Sequence, residues 1–69
     1  MNKNKWGDSM RKEIEKLLNS NITTYKISKD TNINNKSISE LRSGKRKLDN
    51  ITLLTSEKLY EYAKTHLND

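Results

Sequence analysis

The few apolar residues of this chain recur at intervals of three and four, and that spacing leaves a helical bundle as the fold it can reach. Met10, Ile14, Leu17 and Leu18 follow the i, i+4, i+7, i+8 pattern, and Leu53, Ser56, Leu59, Tyr60 and Ala63 fall approximately on one stripe. No run alternates apolar and polar residues as a half-buried strand does, and the chain has no proline and only two glycines. Placement matters here because amount is scarce. Apolar residues make up 30% of the 69, with Leu and Ile supplying 14 and no Val or Phe, a composition that borders on that of disordered chains. A chain of this length forms one small domain, and its thin core makes dimerisation or partner binding a source of extra stability.

Local signals divide the chain into four helices. Residues 1–7, MNKNKWG, show no helical period and read as a flexible basic arm. Asp8 or Ser9 can N-cap a first helix over roughly residues 9–19, which ends in the turn formers Asn19-Ser20-Asn21. Thr23 or Thr24 caps a second helix through about Thr31, with Tyr25 and Ile27 as its apolar residues. Asn32 stands at a sharp turn, where a residue tolerant of left-handed backbone is needed. Asn34 caps a third helix, Asn35 to Ser43, with Ile38 and Leu41 inward and Gly44 as its stop. A basic loop, Lys45-Arg46-Lys47, precedes a fourth helix over residues 52–66.

Composition excludes several classes of function. Without cysteine there is no disulfide framework or thiolate nucleophile, and His66 is the only histidine. No glycine-rich phosphate loop or acid pair in a pocket is legible, so catalysis is not expected, nor a cofactor or bound metal. No apolar run approaches the roughly 20 residues of a membrane span, and a cytoplasmic location is expected. Charge is unevenly spread: residues 1–47 carry 12 Lys/Arg against 5 Asp/Glu, whereas residues 48–69 carry 2 against 4. A polyanion would meet the first two-thirds of the chain.

Two helices crossing at a steep angle need a small residue in the first, a turn residue that accepts positive φ, and apolar residues on either side of the turn. Ile27, Ser28, Asn32, Ile33, Ile38 and Leu41 satisfy these demands in order. Over Ser9 to Ala63, and most strongly in TYKISKDTNINNKSISELRSGKRK, the chain resembles the helix-turn-helix family of phage repressors and Cro proteins, the xenobiotic-response-element type. It departs from that pattern at Ser28, where the family usually has Ala, and at Asn32, where it usually has Gly.

The resemblance implies an all-α, four- to five-helix, lambda-repressor-like domain whose third helix, Asn35–Ser43, enters the major groove of DNA. Asn35, Lys36, Ser39 and Glu40 would then contact bases: Asn35 an adenine, Lys36 a guanine, and Glu40 a cytosine amino group. Glu40 can equally pair with Lys36 at i+4. Thr23, Thr24, Tyr25, Ser37, Arg42, Ser43, Lys45, Arg46 and Lys47 would contact phosphate, with Arg42 facing outward beside the basic loop. The implied function is a nucleoid-associated transcriptional regulator of a phage, plasmid or bacterial chromosome, repressor or Cro-like. It would bind a double-stranded operator as a homodimer on half-sites about 34 Å apart. Leu54, Tyr60, Tyr62 and Leu67 of the C-terminal helix are the expected dimer surface. The alternative is a small helix-turn-helix inhibitor, anti-repressor or antitoxin whose main partner is a protein.

Overall fold

A computed structural model describes residues 5–67, with side chains from Ser9 onward. The described residues form α1 (Lys5–Leu18), α2 (Thr24–Thr31), α3 (Asn35–Ser43), a 3-10 turn (Leu48–Asn50) and α4 (Leu53–Leu67), with no strand among them. The protein is all-α. The expected flexible arm is corrected in part: residues 5–7 belong to α1, and residues 1–4 lie outside the described residues. That run lacks apolar periodicity, but it also lacks proline, and nothing in it bars helix.

The second and third helices start and stop where their capping residues stand. The Thr23 hydroxyl accepts the Lys26 N–H at 3.1 Å, and the Asn34 side-chain oxygen accepts the Lys36 N–H at 2.7 Å. Each satisfies one of the backbone donors that a helix start leaves unpaired. Asn32 ends α2 in left-handed backbone at φ 64°, donating its N–H to the Ser28 carbonyl at 2.8 Å. Gly44 ends α3 at φ 88°.

Between the two helices the turn is held by hydroxyls. Ser28 Oγ donates to the Ile33 carbonyl at 2.6 Å. The buried Thr31 hydroxyl donates to the Ile27 carbonyl at 2.6 Å and accepts from the Ile33 N–H at 3.3 Å. Ser28 therefore meets the steric demand for a small residue and adds a bond that alanine lacks.

Every helix contributes to one core of Met10, Ile14, Leu17, Ile27, Ile33, Ile38, Leu41, Leu59, Tyr62 and Ala63. Leu17, Ile27, Ile38 and Leu59 are completely enclosed, each stabilising the fold by about 1.5–3 kcal/mol through transfer from water. The most extensive helix pairing is α1 against α4, and α2 and α3 pack on each other.

The inward stripe of α4 differs from the expected one. Leu53 is 65% exposed, whereas Tyr62, assigned by the spacing to a dimer surface, is buried beside Leu59 and Ala63. Tyr60 and Leu67 are half-buried against the core, and Leu54 alone of the four expected surface residues is well exposed. Leu59, Tyr62 and Ala63 lie at i, i+3 and i+4 and so share the buried stripe, where the tyrosine hydroxyl finds a polar partner. The Tyr62 hydroxyl donates to Asp30 Oδ2 at 2.7 Å, tying α4 to α2, and Lys26 Nζ reaches the same oxygen at 3.0 Å. Burial first, then the bond to Asp30, pushes the Tyr62 phenol up to about 12. The same bond, followed by that from Lys26, holds the Asp30 carboxyl below its ordinary 3.8.

Candidate functional site

Helix α3 buries Ile38 and Leu41 and so turns a polar face outward. With 3.6 residues per turn, Asn35, Ser39 and Ser43 form one row and Lys36 and Glu40 the next. All five line a single shallow depression with Asn34 and Lys45. The structure thus brings the four expected base-reading residues together on one face. A second depression adjoins it across the turn, lined by Tyr25, Lys29, Asn32 and Asn35 among others. Lys29 was not among the expected site residues. Its only signal in the sequence is its position one turn after Tyr25 on the exposed side of α2.

Of the two apolar residues of α2, Ile27 enters the core and Tyr25 does not. Tyr25 is 68% exposed, and the Lys29 ammonium lies 6.0 Å from its ring centroid, a distance at the outer limit of cation–π attraction. Thr23 is exposed at the start of α2, Ser37 is half-buried on the flank of α3, and Ser43 is exposed with its hydroxyl donating to the Glu40 carbonyl at 3.2 Å.

Arg42 requires a correction. It does not face outward: its guanidinium turns under the helices and binds the end of α1. Nε donates to the Leu18 carbonyl at 2.8 Å, and Nη2 to those of Ile22 at 2.7 Å, Ser20 at 3.1 Å and Leu17 at 3.4 Å. Nη1 donates to the Thr24 hydroxyl at 3.0 Å. A helix C-terminus exposes carbonyls that lack amide partners, and its dipole favours a cation. Those acceptors outcompete solvent for a planar donor fork. Thr24, half-buried, uses its oxygen to accept from Arg42 and keeps its proton to donate.

The basic loop divides in two. Lys45 and Lys47 are exposed and have no ion pair among the described residues. Arg46 folds back over α3, where Nε and Nη2 donate to Glu40 Oε1 at 3.2 and 3.1 Å. Lys36 Nζ stands 4.0 Å from Glu40 Oε2. The face therefore carries a centred carboxylate flanked by two cations, with further lysines at its margin. Such a surface can offer amide, hydroxyl and ammonium groups to base edges while its rim meets phosphate.

None of the described helices is long and apolar enough to cross a membrane. No protein-family model and no curated protein sequence matches the chain.

Proposed function

We propose that this protein is a sequence-specific, double-stranded-DNA-binding regulator with a lambda-repressor-like helix-turn-helix fold, a non-catalytic repressor or Cro-like protein of the nucleoid. One observation carries the reading: Asn35, Lys36, Ser39, Glu40 and Ser43 share one open face of a helix whose other side is core, with lysines beside it. A protein-binding site would favour apolar or aromatic residues there, and a site for unpaired RNA bases would need an aromatic platform on the helix.

In this reading α3 lies in the major groove. Asn35 binds adenine through N6 and N7, Lys36 donates to guanine O6 and N7, and Ser39 and Glu40 reach the next bases. Thr23, Thr24, Tyr25, Ser37, Ser43, Lys45 and Lys47 hold the backbone, with Lys29 added from its place beside Tyr25. Arg42 is left out, since its donors are spent inside the fold. A domain this small makes few contacts, so tight binding needs two copies on adjacent half-sites. Exposed Leu53 and Leu54 at the start of α4 are the apolar surface available for that pairing. The same two leucines are what favours a second reading, in which the main partner is another protein.

Selection of sites from random duplex DNA, followed by binding with Lys36→Ala and Lys45→Ala, tests the proposal. Lys36→Ala should relax the base preference. Lys45→Ala should weaken all sequences alike and reduce the salt slope by about 0.9. Absence of any enriched site at low salt would overturn this reading and favour the protein-binding one.

A further inference from the structure

Glu40 is the only acid in α3, and it sits in the middle of the face that would meet DNA. Its side chain is 23% exposed, against 82% for Lys36 and 44% for Arg46. Oε1 takes two donors from Arg46, at 3.2 and 3.1 Å, and Oε2 faces Lys36 Nζ at 4.0 Å. The backbone reinforces the clasp, for the Arg46 N–H donates to the Glu40 carbonyl at 3.1 Å. An arginine two residues after a left-handed glycine could point in many directions. Here main chain and side chain both return it to the same residue.

For a face that only had to bind phosphate, this arrangement is a handicap. The carboxylate repels the backbone and occupies cations that would otherwise neutralise it. It becomes useful if binding is to depend on sequence. A cytosine N4 amino group in the major groove is a donor that can take over a carboxylate, whereas a phosphate cannot. We infer that Glu40 is a specificity-determining internal counter-ion: it withholds Arg46 from phosphate on arbitrary DNA and releases it where a cytosine amino group donates to the carboxylate in its place. Opening the clasp for a phosphate leaves the half-buried carboxylate unpaired beside a polyanion, whereas a cytosine amino group satisfies it, so the clasp opens where that partner is offered. This inference rests on the DNA-binding reading above.

The test uses the full chain, a selected duplex and a random duplex, with binding measured across a range of salt concentrations. Observed affinity scales with salt to the power of about −0.9 for each phosphate neutralised, so one released cation corresponds to about eightfold at 0.1 M salt. Glu40→Gln, which keeps the shape, should tighten random-duplex binding by about eightfold or more and steepen the slope by about 0.9. The selected duplex should gain less, so discrimination falls. Arg46→Gln alone should weaken random-duplex binding much less than Lys45→Ala does, because Arg46 is already engaged. In the Arg46→Gln background, Glu40→Gln should lose most of its gain.

Unchanged random-duplex affinity and slope in Glu40→Gln would overturn the inference. So would a gain of equal size in both backgrounds, which would mean that the negative charge acts through its field alone. Arg46→Gln matching the loss in Lys45→Ala would overturn it independently of how Glu40→Gln folds. If the wild-type chain selects no duplex at all, the functional reading falls first and this inference with it. Selective binding by the wild type with any of the other failures overturns this inference only.

Discussion

Replacing Arg42 by Met should be among the most damaging single changes outside the apolar core. Methionine keeps the methylene stem and removes the guanidinium. Of the five bonds lost, the one to Leu17 counts for little: it is 3.4 Å long, and that carbonyl already accepts from the Ser20 N–H at 3.1 Å and hydroxyl at 2.6 Å. Four remain, to Leu18, Ser20, Ile22 and Thr24, at 2.7–3.1 Å. A hydrogen bond to a charged group contributes about 1.5–3 kcal/mol in isolation. These four share one cation, and water can reach a half-buried site, so the sum is far from additive. About 2–4 kcal/mol is a fair net loss.

A domain of 69 residues has a total stability of about 3–10 kcal/mol, so the variant should lose a large fraction of it. At about 4–8 °C per kcal/mol for this size, Tm should fall by at least 8 °C. Circular dichroism during thermal and urea unfolding measures this directly. Arg46→Met is the control, since an exposed ion pair is worth at most about 1 kcal/mol. Arg42→Lys should recover less than half of the loss, because an ammonium cannot span acceptors spread over three segments. If Arg42→Met melts no lower than Arg46→Met, the Arg42 bonds are not what holds α1 to α2 and α3.

Two further outcomes follow from local geometry. Asn32→Ala should cost about 1–2 kcal/mol, the penalty for left-handed backbone in an ordinary residue, while Asn32→Gly should match or exceed the wild type in urea midpoint; equal stability of all three would refute the positive-φ requirement. For Tyr62→Phe the pH dependence of stability is the readout. Asp30, held below 3.8, contributes stability that is present above that value and lost as pH falls through its folded pKa. Tyr62, raised to about 12, contributes stability that is complete below 10 and lost as pH rises from 10 toward about 12. The difference between wild type and Tyr62→Phe should therefore shrink at both extremes, and a difference independent of pH would rule out the Tyr62–Asp30 bond as its source.

What the chain reveals in advance is what its backbone requires locally. Thr23, Asn34 and Gly44 mark helix ends, and Asn32 marks the turn, because each supplies a property that few other residues have at that point. Ile27, Ile38 and Leu41 are legible through period. Arg42 was not, because its acceptors lie 18–25 residues earlier, and nothing near an arginine says which distant carbonyls lack amides. The clasp between Arg46 and Glu40 was hidden for a related reason: it depends on how the loop after Gly44 returns. In α4, apolar residues surround much of the helix, so period alone could not choose between Leu53 and Tyr62. The packed helix turns Tyr62 inward with Leu59 and Ala63, its hydroxyl bonded to Asp30. The site face was legible as a set of residues, as was the Lys36–Glu40 pair at i+4, and the Arg46 clasp was not.

The hydroxyl latch at the turn bears on the order in which the chain assembles. None of the bonds from Ser28 and Thr31 spans more than five residues, and closing so short a loop takes well under a microsecond. The α1–α4 pairing, by contrast, joins the first and last described helices across the whole intervening chain, and contacts of that separation form late. The domain should thus condense from its middle outward, with Arg42 recruiting α1 before α4 seals the core. Run in reverse, the same order makes α4 the first helix to detach. Amide protons of α2 and α3 should then outlast those of α4 in hydrogen exchange, so the part proposed to read DNA would also be the last to come apart.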